Sequence, residues 1–191
     1  MRGQCTGRHW GSRAAALVAL LCVSAANAAS ASADCRADRV ELRGSWGSAA
    51  FTVEIADTPE LRAEGLMNRP SMPRFSGMLF IFEPPPGPAS FWMENTLIPL
   101  DMLFIREDGV VGHIHHEAQP LDRTPIHGGD DVLYVLEING GMARRLGIGP
   151  GSEMRHPQVD PALAAWPCAA QDGAELPGAP EPETEPESAA P

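Results

Sequence analysis

The segment from Phe91 to Ile105 holds two apolar runs on either side of a short polar break. Each run carries one acid at its inner end, Glu94 in the first and Asp101 in the second. A carboxylate inside such a run is costly to bury unless it is paired or hydrogen-bonded. A fold that accommodates this segment must therefore bring polar partners to both acids.

Short strand patterns surround this segment. A period of two in residues 51–55 predicts a half-buried strand, and the apolar run at residues 78–82 predicts a strand covered on both faces. Residues 132–138 also have the composition of a strand, and residues 107–109 carry a hairpin turn signal. Residues 119–131 are polar and contain Pro and Gly, which favours a surface loop.

Two short helices are also predicted. Thr58 suits an N-cap and Pro59 the first helical position, so a helix should continue through residues 61–66. Asn139 is expected to cap a second helix that ends at Gly147. Helices so few and so short do not suit βαβ crossovers. The predicted fold class is therefore mostly β, a compact two-sheet sandwich or barrel with one or two short helices.

The chain divides into three predicted regions. Residues 1–28 have the positive start, apolar stretch and Ala-Asn-Ala end of a cleaved signal peptide, with an uncleaved anchor as the alternative. Residues 35–168 form a single β domain, and residues 169–191 form an acidic Pro/Glu-rich tail that we expect to be disordered. The protein should thus be exported, periplasmic or secreted, and monomeric, with no membrane span after signal cleavage.

The positions of the four cysteines are consistent with export. Cys5 and Cys22 would leave with the signal, whereas Cys35 and Cys168 lie at the two edges of the patterned region. We expect these last two to form a disulfide in an oxidising compartment, and two unpaired thiols are the alternative.

Charge and missing motifs exclude several functions. The net charge is −11 and every basic residue is an arginine, which argues against nucleic acid as the main partner. The sequence lacks a nucleophile elbow, a P-loop, a Cys-x-x-Cys pair and a zinc-protease helix motif, so no cofactor is expected.

Two acids and two arginines form the first candidate site. Predicted strands would bury Asp101 and Glu137, and Arg62 and Arg69 are the natural partners for them. An acid pair with separated pKa values could perform acid/base hydrolysis. The alternative is a structural ion-pair network that docks the helical segment on the sheet.

A tryptophan beside polar residues forms the second candidate site. Trp92 precedes Asn95 and Thr96, and an apolar face next to an amide and a hydroxyl is typical of a carbohydrate or small-ligand platform. The alternative is a core tryptophan followed by a turn in which Asn95 bonds its own backbone.

Histidines form the third and weakest candidate. His113 and His115 share one face of a strand, and with His127 they could hold a transition metal. Surface histidines explain the same pattern, so no metal site is our preferred interpretation.

Three short strings follow one another in the middle of the chain: Phe91-Trp92-Met93, Asn95-Thr96 and Pro99-Leu100-Asp101. In these strings and their order the sequence resembles the prokaryotic domain-of-unknown-function 192 family, and the likeness covers about residues 39–154. The resemblance implies two packed, jelly-roll-like β-sheets with short helices at their edges, and it implies no established activity.

The predicted function is that of an exported ligand-binding or accessory module of the cell envelope. Its partner would be an unknown small molecule or an envelope protein. A hydrolase that uses Asp101 and Glu137 is one alternative, and a protein-interaction module that uses the acidic tail is another. The residues predicted to bind the ligand are Trp92, Asn95, Thr96, Arg62 and Arg69.

Overall fold

A computed structural model describes residues 35–168, which contain nine strands and two short helices. The elements in chain order are β1 (Arg39–Gly44), β2 (Gly47–Ala56), α1 (Pro59–Glu64), β3 (Ser76–Ile81), β4 (Gly87–Phe91), β5 (Leu100–Ile105), β6 (Val111–Ala118), β7 (Ile126–Val132), β8 (Tyr134–Asn139), α2 (Met142–Leu146) and β9 (Glu153–Arg155). The prediction of a mostly β fold with two sheets and short helices is confirmed.

The two sheets are of unequal size. The larger has seven strands in the order β6-β5-β8-β3-β2-β1-β9, and the smaller pairs β4 with β7. Neighbouring strands are antiparallel except β2 and β3, which are parallel. The expectation that the helices are too short for a βαβ crossover is wrong for this pair. A parallel connection needs a long link, and α1 with the segment after it supplies that link.

The large sheet separates two apolar clusters. On its first face Leu103 and Leu136 pack with residues of α2, and on its second face Met102 and Val135 pack beneath β4 and β7. Every residue of β5 is buried, because successive side chains of a strand point to opposite faces and both faces are covered here.

The predicted surface loop at residues 119–131 is partly wrong. Its second half forms β7, in which His127 pairs with Ser90 of β4. Gly128 permits this packing, because a Cβ atom at that position would lie 1.9 Å from the ring of Phe104. A polar, glycine-rich segment can therefore be a strand when a close approach to an aromatic ring requires glycine.

The first helix begins as predicted. The side chain of Thr58 accepts a hydrogen bond from the Leu61 N–H, and Pro59 is the first helical residue. The cap of α2 is Gly141 rather than Asn139, whose side chain instead donates to the Pro73 carbonyl at 2.9 Å. Gly147 ends α2 in a left-handed conformation, as predicted.

A disulfide joins the two ends of the domain. Cys35 and Cys168 are bonded, with their Cα atoms 5.8 Å apart. Near this bridge, Trp166 lies against the guanidinium groups of both Arg43 and Arg155, each 4.5 Å from its ring. Within residues 35–168, no helix has the length and apolarity needed to cross a membrane. The predicted signal peptide and acidic tail lie outside the described residues.

Candidate functional site

A cavity of about 300 Å³ opens between α1 and one end of the two sheets. We call it the Glu137 cavity, because β8 places the Glu137 carboxyl in its wall. Helix α1 contributes Arg62 and Glu64, and aromatic side chains from β3, β4 and the residues that follow them form much of the remaining wall. The aromatic residues of this wall are Phe80, Phe82, Phe91 and Trp92.

The Glu137 carboxyl lacks a protein partner. Glu137 pairs with Met78 on one side and Met102 on the other, so its side chain rises between two thioethers on the apolar second face. Its exposed fraction is 4%, and no side-chain hydrogen bond or ion pair within residues 35–168 reaches it. Burial raises the pKa of Glu137 to about 8.

A carboxyl in this state is protonated near neutral pH and can both donate and accept a hydrogen bond. Buried polar groups in native proteins nearly always have a partner, so an unpartnered one that faces a cavity calls for an explanation. A ligand that enters the cavity could supply the missing hydrogen bonds of Glu137.

Arg62 lines the same cavity without an acidic partner. Its Nη1 donates to the carbonyl oxygens of Asp57 and Ile81, both at 2.8 Å, and its guanidinium lies 5.3 Å from the centre of the Phe82 ring. Among the described residues it forms no ion pair. Its position is fixed by backbone carbonyls, and its remaining N–H donors are left for other contacts.

The second sequence candidate is divided by the structure. Trp92 is 55% exposed at the cavity wall, and Thr96 is buried there with its hydroxyl donating to the Glu94 carbonyl at 3.3 Å. Asn95 is exposed, adopts a left-handed backbone with φ of 52°, and does not line the cavity. Trp92 and Thr96 therefore belong to the cavity, whereas Asn95 serves the turn.

The expectation that Asp101 and Glu137 meet is wrong. Asp101 pairs with Ile138 across the β5–β8 ladder, whereas Glu137 pairs with Met102. Neighbouring positions on a strand point to opposite faces, so the two carboxyls lie on opposite sides of the sheet.

Backbone amides, not arginines, are the hydrogen-bond partners of Asp101. Its Oδ1 accepts from the N–H groups of Glu117 at 2.8 Å and Gly141 at 2.9 Å, and its Oδ2 accepts from the Ala143 N–H at 2.8 Å. A fully buried carboxylate with three amide donors is well satisfied, and here it ties the end of β6 to the start of α2. Asp101 is therefore structural.

The other arginine of the first candidate is also elsewhere. Arg69 forms a bidentate ion pair with Glu54, with one bond at 2.8 Å, and its hydrogen bond lowers the pKa of Glu54. Arg69 does not line the Glu137 cavity. Glu94, the first acid of the opening segment, pairs with Arg123.

The histidines line a second cleft of about 440 Å³ without forming a metal site. His115 and His127 both face this cleft, whereas His113 stacks on Phe104 with ring centres 5.8 Å apart. Burial, followed by the proximity of His113, lowers the pKa of His115. Across residues 35–168, no group of three His, Cys, Asp or Glu side chains is arranged to hold a metal ion.

His116, the neighbour of His115 in the same histidine cluster, also lines this cleft. The Nδ1 of His116 is buried without a hydrogen-bond partner, 3.9 Å from the Asp101 carboxylate. It reaches this position because the β5–β6 register shifts between Leu100 and Met102, and Glu117 adopts a left-handed backbone. No sequence pattern predicts this register shift between β5 and β6.

The fold and the Glu137 cavity define a small two-sheet β protein with a cavity of about 300 Å³ beside its central strands. The chain belongs to the DUF192 family, described as uncharacterized ACR, whose family model matches residues 40–156. The resemblance seen in the sequence is thereby confirmed.

Two solved structures are similar to this chain. A protein of unknown function from Novosphingobium aromaticivorans DSM 12444 is 44% identical, with a TM-score of 0.59 over 61% of this chain and 82% of that one. A protein from Sinorhizobium meliloti 1021, described as a candidate transcription regulator, is 42% identical, with a TM-score of 0.60 over 63% of this chain and 94% of that one. No protein with a curated description matches the chain.

Proposed function

We propose that this protein is an exported module that binds a small molecule in the Glu137 cavity. One observation carries the proposal: a buried carboxyl faces the cavity and has no hydrogen-bond partner within the described residues. A lining that combines exposed Trp92 and three phenylalanines with a small set of polar side chains is typical of small-molecule sites.

The contrast with Asp101 supports a functional role for Glu137. Both acids are buried in adjacent strands, yet Asp101 receives three backbone donors and Glu137 receives none. An acid retained only for structure would be expected to have its partners, because leaving one unsatisfied lowers stability. A ligand is the simplest partner for a carboxyl that faces a cavity.

Export is the second part of the proposal. The predicted signal peptide at residues 1–28 and the disulfide between Cys35 and Cys168 both favour an oxidising compartment. Expression of the full chain should yield mature protein in the periplasmic or secreted fraction with no titratable thiols. Retention in the cytoplasm with both cysteines reduced would contradict export.

The binding proposal can be tested by thermal shift with a collection of small polar metabolites. Compounds that raise the melting temperature of the wild type should lose their effect on Glu137→Gln, which keeps the shape of the side chain but removes its acidity. Glu54→Gln is the matched control, because it changes an exposed acid that does not line the cavity. Binding that is equal in wild type and Glu137→Gln would refute the assignment of the site.

A hydrolase is a second candidate, on the strength of one observation. The raised pKa of Glu137 is suited to a general acid near neutral pH. Asp101 cannot be its partner, since it lies on the other face of the sheet, and Glu64 is the other acid of the cavity. Turnover of chromogenic glycosides or esters that disappears in Glu137→Gln, but not in Glu54→Gln, would favour catalysis over binding.

Two further proposals receive less support. One is a role in transcription regulation, which is the description of the Sinorhizobium protein. For this chain, a net charge of −11 disfavours binding to the phosphate backbone of a nucleic acid. Partner binding through the acidic tail at residues 169–191 stays a prediction, which deletion of those residues would test in a pull-down.

A further inference from the structure

One cationic and one acidic side chain line the Glu137 cavity without pairing with each other. The Arg62 guanidinium is held by two backbone carbonyls, and the Glu137 carboxyl has no partner within residues 35–168. No ion pair joins the two side chains. The wall of the cavity therefore offers one cationic and one acidic group to the same small molecule.

Resting on the proposed function, we infer that the ligand is a small zwitterion with one ammonium group and one carboxylate. Its ammonium group would lie beside Glu137, and its carboxylate would lie on Arg62. A molecule of this class leaves neither wall group without a partner.

The surroundings of Glu137 suit an ammonium group. Phe80, Phe91 and Trp92 line the cavity with it, and the faces of aromatic rings attract cations. An ammonium ion beside the carboxyl favours the ionised form and removes the penalty of an unpaired buried acid.

The position of Arg62 suits a carboxylate. Its Nη1 is occupied by the carbonyls of Asp57 and Ile81, which leaves Nε and Nη2 as donors in a fixed plane. Two parallel donors of a guanidinium match the two oxygens of a carboxylate.

A ligand with only one charge fits the cavity less well. A simple cation would pair with Glu137 but would share a small cavity with the guanidinium of Arg62. A simple anion would pair with Arg62 but would share the cavity with Glu64, on a protein of net charge −11, and would leave the ionised form of Glu137 without a partner. A cavity of about 300 Å³ lies at the small end of ligand sites, so a single small molecule is expected.

Binding should also release a proton. The ammonium group pairs with the ionised carboxylate, and that form is the minor one below a pKa of about 8. Affinity should therefore rise roughly tenfold between pH 7 and pH 9, as the ionised fraction grows. A neutral ligand that accepts a hydrogen bond from the protonated carboxyl would show the opposite trend.

Calorimetric titration of the full mature chain tests the inference. The probes are linear ω-amino acids of two to six carbons, each with the alkylamine and the carboxylate of the same length. At least one amino acid should bind ten times more tightly than both of its single-charge analogues. Glu137→Gln should remove its advantage over the carboxylate, whereas Glu54→Gln should keep it. The analogue series in wild-type protein gives the answer even if Arg62 variants fail to fold.

The outcomes separate the inference from the proposed function. If an alkylamine binds as tightly as its amino acid, or if neutral compounds bind in a Glu137-dependent manner and no amino acid does, the zwitterion inference is overturned and the binding function stands. If no probe and no collection compound binds in a Glu137-dependent manner, both are overturned. A tighter amino acid with affinity that rises towards pH 9 supports both.

Discussion

The unpartnered carboxyl of Glu137 should make the stability of the protein fall as the pH rises. In the unfolded chain this group ionises near pH 4.5, whereas in the folded protein its pKa is raised to about 8. The folded state therefore holds a proton that the unfolded state has released, and unfolding becomes more favourable with each step in pH across that interval. Below about pH 4.5 both states are protonated and the effect vanishes.

The size of the effect follows from the two pKa values. A tenfold difference in proton affinity between the folded and unfolded states corresponds to about 1.4 kcal/mol. Ionisation of the Glu137 carboxyl in the unfolded state therefore lowers the free energy of unfolding by roughly 3 kcal/mol near pH 7. The loss should level off at roughly 5 kcal/mol above about pH 9, where both states are ionised. This is a large share of the roughly 5–15 kcal/mol that stabilises a typical domain.

Urea unfolding of wild type and Glu137→Gln at a series of pH values measures this directly. The difference in free energy of unfolding between the two proteins should grow by roughly 4 kcal/mol from pH 5 to pH 9 in favour of the variant. Taking the difference cancels the other titrating groups, including buried His156, whose burial lowers its pKa and opposes the trend below about pH 6.5. A difference that stays constant across this range would refute the claim that the Glu137 carboxyl is buried without a partner.

Three further changes test other parts of the structure. Asp101→Asn should lower the free energy of unfolding by roughly 3 kcal/mol in urea melts, because an amide cannot accept all three backbone N–H groups, and it should leave ligand affinity unchanged. Gly128→Ala should prevent soluble folding, because its Cβ would lie 1.9 Å from the Phe104 ring, whereas Gly149→Ala has open space and should melt like wild type. Reducing the disulfide, which closes a separation of 133 residues, should lower stability by roughly 5 kcal/mol in the same melts, and an unchanged midpoint would contradict that role.

Local signals in the sequence predicted a good part of the fold. Thr58 caps α1, Gly147 ends α2, and the bridge between Cys35 and Cys168 joins the two ends, because each depends on residue chemistry at one or two positions. Strand β7 was missed, since its pairing depends on the approach of Gly128 to a ring that comes from a distant strand.

The site was predicted in part for the same physical reason. Trp92, Thr96 and Arg62 line the cavity, because Trp92 directly follows β4 and α1 brings Arg62 to the same end of the sheets. Arg69 does not line the cavity and instead pairs with Glu54 of β2. Contacts between long side chains depend on register, which composition does not determine.

The different environments of Asp101 and Glu137 show why a motif alone could not identify the site. Both acids interrupt apolar strands, and one step in register places them on opposite faces. Asp101 meets the backbone amides of Gly141 and Ala143, donors that every residue except proline carries and that therefore leave no mark on composition. Glu137 lies between Met78 and Met102 and faces a cavity. The candidate functional acid is thus the one without a hydrogen-bond partner in the folded chain, and it is identified only by checking every donor near each buried carboxyl.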